Sequence, residues 1–231
     1  MLPRKHPGRQ DRTVGAMSRV RVHSFSISVD GFGAGPDQTF LEPLGVGGQQ
    51  VHEWFFTTRT GREMIGEEGG TTGTDDAFVA DRFAGAGATV MGRNMFGPVR
   101  GPWDGDWDGW WGDEPPFGHD VFVLTHYERE PLVMQGGTTF HFVTDGLEAA
   151  LGRAREAAGD LDVVLGGGVS TLREALANGW VDDLHLVVAP VVLGRGEQLF
   201  DGSFDLARFY ECTEHVGTEL VTHYRFRRRN S

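Results

Sequence analysis

Cysteine is nearly missing from this chain: Cys212 is the only one. That excludes an intrachain disulfide framework and a cysteine-rich metal site. Such cysteine usage fits a reducing compartment, and the expected location is cytoplasmic. No apolar run approaches the roughly 18 residues of a membrane span, so no membrane partner is expected. Positive charge is also scarce. Lys and Arg total 21 against 33 Asp and Glu, giving a formal net charge of -12. That balance argues against nucleic acid as a partner. Several motifs are absent as well. No Gly-Lys-Ser/Thr triplet is available for a phosphate loop, and no G-x-S-x-G elbow for a hydrolase. Gly166 and Gly168 begin a G-x-G-x-x-G pattern, but Thr171 stands where its third glycine belongs.

The chain does have the length and apolar content of an ordinary folded domain. Its 231 residues are 39% hydrophobic and 23% charged, values typical of globular proteins. Residues 1–17 are basic and polar with no apolar segment, and are expected to form a disordered extension. Residues 18–229 show no linker or shift in composition and read as one domain.

Strand and helix patterns alternate through the middle of that domain. "VRVHSFSISV" (20–29) alternates as a strand should. Val20, Val22, Ser24, Ser26 and Ser28 face one way; Arg21, His23, Phe25, Ile27 and Val29 face the other. A helix is expected over 51–66, and another from Thr74, which reads as its N-cap. Short buried strands are expected at 88–91, 120–125, 138–144 and "LDVVLG". Helices are expected over 146–158 and 169–178. A long strand is expected over 182–194, and two antiparallel strands close the chain. Alternation of this kind implies parallel crossovers, with helices on both faces of a mixed, mostly parallel sheet.

Two strand ends stand out. "ATVMGRN" and "DVVLGGGVST" each end a buried strand on glycine at a polar turn or helix start. In open α/β sheets ligands bind at the carboxyl ends of strands, and helix N-termini attract phosphate. Arg93 adds a planar cation suited to phosphate. Gly166, Gly167 and Gly168 indicate an unusual turn, a bound ligand, or both. His126 follows another strand end and is placed beside the same groove, whereas His141 and His185 read as structural. Asp104, Asp106, Asp108 and Gly109 imitate half of a calcium loop. Its twelfth position is Pro115 instead of Glu, so no metal site is expected. Trp103, Trp107, Trp110 and Trp111 then either pack a loop or wall a flat ligand.

Five stretches occur in order: "SVDGFGAG", "VMGRNMFG", "FVLTHYERE", "VVLGGGVSTLREAL" and "HLVVAPVVLGRGEQLFDG". Together they resemble the dihydrofolate reductase-like superfamily, nearest to the C-terminal reductase domain of the riboflavin-biosynthesis deaminase/reductase. The likeness covers about residues 20–228. It implies a three-layer α/β fold with about eight strands, NADPH as hydride donor, and a homodimer. The cofactor contacts it implies are Ser26, Ser28, Phe32, Gly33, Gly92, Arg93, Asn94, Met95, Thr125, His126, Gly166, Gly167, Gly168, Val169, Ser170 and Thr171. A cis Gly–Gly bond often accompanies the glycine turn in that family. Asp30 is the implied catalytic residue, and Asp30, Gly31, Trp54 and Trp110 the implied substrate contacts.

The sequence departs from the superfamily in places. Met95 replaces the threonine usual in dihydrofolate reductases. The acid that holds the pterin there has no firm match; Asp75 and Asp76 are candidates for it. Ser28, Asp30 and Gly31 keep the pattern of the riboflavin branch. The expected activity is NADPH-dependent reduction of a small heterocycle, similar to 5-amino-6-(5-phosphoribosylamino)uracil reductase. The alternatives are a true dihydrofolate reductase, or a nucleotide-binding module without turnover.

Overall fold

The computed structural model describes residues 18–97, 100–103, 105–202 and 204–229. The expected extension over 1–17 lies outside the described residues. Eleven strands are present among the described residues: β1 (Val20–Ser28), β2 (Phe32–Ala34), β3 (Ala86–Gly92), β4 (Asp120–Leu124), β5 (Leu132–Val133), β6 (Thr139–Val143), β7 (Asp162–Gly167), β8 (Asp183–Ala189), β9 (Glu197–Gln198), β10 (Tyr210–Gly217) and β11 (Thr222–Arg228). The α-helices are α1 (Glu53–Thr57), α2 (Arg59–Glu63), α3 (Thr74–Ala80), α4 (Arg93–Phe96), α5 (Leu147–Ala158), α6 (Val169–Ala177) and α7 (Leu206–Phe209).

Nine strands form one sheet in the order β10-β11-β8-β1-β7-β3-β4-β6-β5, and β2 pairs with β9. Pairing is parallel from β8 through β1, β7, β3 and β4 to β6. It is antiparallel at both margins. Central parallel strands are covered on both faces, so their sequences read as continuous apolar runs such as "DVVL". On one face, Leu147, Leu151 and Ala154 of α5 and Leu172 and Leu176 of α6 pack against Val90, Leu165 and Leu186. On the other, Trp54 of α1 and Val79 of α3 pack against Val187 and Ala189 of β8. Beside them Trp103, Trp107 and Trp111 lie against Met91, Val121, Val123 and Phe140. The result is the three-layer mixed sheet that the motifs implied, with nine strands.

The structure corrects several local expectations. Strand β1 does not alternate throughout. Ser24 takes φ 51, and the β1–β8 register shifts between Val22 and Phe25. This bulge flips the pattern, as one extra residue must. Val20, Val22, Phe25 and Ile27 therefore share the face of α5 and α6, while Ser26 turns toward Trp54. The helix expected over 51–66 is broken at Thr58, whose ψ is 153. Its hydroxyl donates to the Phe55 carbonyl and accepts from Gly61 N–H, closing α1 and capping α2. Gly73, not Thr74, is the N-cap of α3. The strand expected over 182–194 stops at Ala189, because Pro190 has no N–H to continue the ladder.

Candidate active-site cleft

The carboxyl ends of β1, β3, β4 and β7 open onto one cleft of about 800 Å³. Its walls come from the two glycine turns, the start of α6, the turn after β4, Phe55 and Phe56, and the Trp-rich segment. Most of the expected cofactor contacts meet here: Ser26, Gly33, Gly92, Arg93, Asn94, Met95, Thr125, His126, Gly166, Gly167, Gly168, Val169, Ser170 and Thr171, with Trp110.

The glycines have specific reasons. A Cβ on Gly92 would lie 2.8 Å from Thr171 Oγ1 and 3.2 Å from the Gly168 nitrogen. The turns after β3 and β7 therefore touch through bare backbone. Gly167 has φ 130 and is joined to Gly168 by a cis peptide bond. A Cβ on Gly166 would sit 3.2 Å from both Sδ and Cε of Met95. The methionine that departs from the superfamily pattern thus covers the glycine turn. Gly168 is the N-cap of the nine-residue helix α6 and has no side chain to cap it. The first turn of α6 faces the cleft with the positive end of the helix dipole.

Arg93 begins α4 and reaches across to β4. Its Nη1 donates to Thr125 Oγ1 at 2.9 Å, and its guanidinium lies over the Trp103 ring, 3.2 Å from the centroid. Its Nε and Nη2 are buried without a partner among the described residues. Burial, with Arg129 nearby, holds its pKa below the usual arginine value.

Five expected residues lie outside the lining. Trp54 points into the second core, only 3% exposed, and its Nε1 donates to Ser26 Oγ at 2.9 Å. Its neighbours Phe55 and Phe56 line the cleft instead. Asp30 ties a turn. It accepts from Ser28 Oγ at 2.6 Å, Gly194 N–H at 2.7 Å and Leu193 N–H at 3.1 Å. Those donors lower its pKa, the Ser28 hydroxyl most of all. Ser28, Gly31 and Phe32 belong to that turn: Phe32 N–H donates to Ser28 Oγ, and Gly31 N–H to the Ser28 carbonyl. Nor does either pterin-acid candidate reach the cleft. Asp76 binds Thr60 N–H and Arg59, and Asp75 binds His223.

The cleft also contains residues that the sequence reading passed over. His23 and Arg82 line the end near Phe55. The Arg82 guanidinium lies 5.4 Å from the Phe55 ring centroid and 4.9 Å from that of Phe83. No carboxylate among the described residues pairs with it, and burial pulls its pKa down to about 10. His23 is pushed to about 4, first by burial and then by Arg21. Nothing in the local sequence around Arg82 marks it; only the folded path of the α3–β3 connection does.

A mixed sheet whose central parallel strands end in touching glycine turns is the dihydrofolate reductase-like fold. The chain belongs to the RibD C-terminal domain family, whose model matches residues 22–224. No curated protein matches it. Among solved structures it is similar to a Shewanella sp. PV-4 protein assigned provisionally to riboflavin biosynthesis. That match is 19% identical with TM-score 0.56, covering 93% of this chain and all of the other. RibD of Acinetobacter baumannii is 16% identical with TM-score 0.52, covering 93% of this chain and 59% of RibD. The dihydrofolate reductase of Enterococcus faecalis, solved with NADP(H), is 14% identical with TM-score 0.51 over 92% and 97%. At these identities the likeness is one of fold.

Proposed function

We propose that this protein is an NADPH-dependent reductase of a small heterocycle, of the pyrimidine type handled in riboflavin biosynthesis. The observation that carries the reading is the cleft itself. Arg93 offers buried N–H groups without a partner among the described residues, α6 offers an uncapped N-terminus, and between them lie glycines that a Cβ would fill. These features suit the phosphates of a dinucleotide. Bound there, the cofactor would supply hydride; the chain supplies position and electrostatics. Gly166–Gly168 let the ligand approach the backbone. Thr125 and His126 flank its adenosine end. Phe55 and Phe56 wall the remaining space, where a flat ring fits against them. Arg82 favours an anionic substituent on that ring.

Family membership favours the pyrimidine reductase reading over dihydrofolate reductase, which shares only the fold. The position of Asp75 and Asp76 outside the cleft points the same way. The reading includes a homodimer and a cytoplasmic location. The dimer interface in this reading falls on the β10–β11 hairpin, which lies at the margin of the sheet beside β8.

The test is a titration with NADPH and NADH, followed by turnover with reducible aminopyrimidines and with dihydrofolate. NADPH binding that weakens in Arg93→Ala, with oxidation driven by an aminopyrimidine, is the expected result. Binding without turnover of any substrate would return the protein to a nucleotide-binding module. Turnover of dihydrofolate alone would make it a dihydrofolate reductase.

A further inference from the structure

The Trp-rich segment has no role in the reading above, yet one of its rings touches the phosphate-seeking arginine. Trp103 is pinned on three sides. Its Nε1 donates to the Tyr127 carbonyl at 2.9 Å. Its ring meets Phe96 and Phe142 edge-on, with centroids 5.9 and 4.8 Å away. A second cation, Arg129, lies 4.8 Å from the same indole centroid and is anchored by a 2.6 Å bond to the Trp107 carbonyl.

A guanidinium lying over an indole is held by the ring's negative face. Here that contact, with the bond from Nη1 to Thr125, fixes the plane of Arg93. The atoms left over are Nε and Nη2. They form one edge of the guanidinium, the edge that donates two parallel bonds to a pair of phosphate oxygens. Asp106 and Asp108 lie close enough to Arg129 to act on its charge, whereas among the described residues no carboxylate acts on Arg93. The corner therefore holds two cations, and of these Arg93 has no acid acting on it among the described residues. A phosphomonoester, with a charge of about −2 at neutral pH, matches it better than a hydroxyl pair does.

We infer that Trp103 and Arg129 are positioning residues that aim the free edge of Arg93 at a ribose phosphomonoester, and so make the cleft select NADPH over NADH. The inference rests on the dinucleotide reading of the cleft. It gives the Trp-rich segment a place in cofactor choice.

The test compares NADPH and NADH affinity, by nicotinamide fluorescence, in the wild type, Trp103→Leu, Trp103→Phe and Arg129→Gln. Trp103→Leu should weaken NADPH on the order of tenfold while leaving NADH within about twofold, the scale of a desolvated cation–π contact. Trp103→Phe keeps an aromatic face and should retain most of the preference. Arg129→Gln should lower NADPH affinity alone, and added salt should shrink its deficit. Where Trp103→Leu does not fold, the other two variants carry the comparison. An equal fall for both nucleotides would mean that Trp103 only supports the fold and would overturn the inference, as would no change in any variant. A wild type that binds NADPH in those cases leaves the dinucleotide reading standing. A wild type that binds neither nucleotide removes both.

Discussion

His185 Nε2 lies 3.1 Å from His223 Nδ1, and neither ring is more than 3% exposed. The chain of bonds fixes both tautomers. Ser24 N–H donates to His185 Nδ1 at 3.1 Å, so His185 must carry its proton on Nε2. That proton goes to His223 Nδ1, and His223 Nε2–H then donates to Asp75 Oδ1 at 2.8 Å. Phe78 stacks on His223 with centroids 4.2 Å apart. Protonating either ring would set donor against donor. Burial, with His223 and His23 as neighbours, drives His185 to about 2. Burial also lowers His223, against the pull of Asp75. Other charges facing the group are Arg21, Arg82, Arg225, Asp81 and Glu214.

A pH dependence of stability follows. These histidines bind protons more readily unfolded, near 6.5, than folded. Stability is therefore complete above that value and falls as pH drops through it toward 4, by up to about 1.4 kcal/mol per unit for each histidine kept neutral. Urea unfolding at pH 7.5, 6 and 5 should show the loss. His223→Gln should be less stable at pH 7.5 and show a shallower slope. An unchanged slope would remove His223 from the account.

Gly92→Ala should damage the cleft without a change of charge. The new methyl would press on Thr171 Oγ1 and the Gly168 nitrogen. Overpacking of this sort costs about 1–3 kcal/mol. A lower Tm with weaker dinucleotide binding is expected. Adding Thr171→Ala should recover part of both, because it removes the nearer contact.

Asp30→Asn separates a turn role from a catalytic one. The carboxylate accepts three bonds, and an amide cannot accept them all. The expected result is a lower midpoint in chemical denaturation, with kcat nearly unchanged. A fall in kcat of a hundredfold or more (about 2.7 kcal/mol in the barrier) would restore Asp30 to the chemistry.

Arg82→Gln should raise KM for an anionic substrate about tenfold, the effect of losing one charge-assisted pair. NADPH affinity should hold, since Arg82 lies by Phe55 and Phe83 and not by the glycine turns. Tm should stay level or rise, because an unpaired cation leaves a half-buried site.

The strand ends that build the cleft were legible in the sequence because glycine marks them chemically. "MGRN" and "LGGG" end buried apolar runs, and no other residue tolerates the contact between Gly92 and Thr171 or the φ of Gly167. Side-chain direction was harder to read. The alternation of β1 looked regular because Ser24, Ser26 and Ser28 are small enough to suit either face. The bulge depends on His185, a residue 161 positions away. Trp54 seemed suited to a substrate wall, but the Ser26 hydroxyl draws it inward. Asp30 resembled a catalytic acid locally; its partners Leu193 and Gly194 come from beyond β8. Arg82 went unnoticed because its isolation from acids exists only in three dimensions.

The bulge at Ser24 also makes the length of the first strand a coded quantity. A sheet pleat counts residues by twos, and the extra residue at Ser24 is what lets Val22 and Phe25, three positions apart, share one face. Straightened at its full length, β1 would carry either Val20 and Val22 to the opposite face, now held by Arg21 and His23, or Ser26 and Ser28 into the apolar layer under α5 and α6. Deleting Ser24 would keep the faces in phase and forfeit the bulge with its bond to His185, whereas a second deletion beside it would put the two halves of the strand out of phase. In this strand the chain carries information in the number of its residues as well as in their kinds.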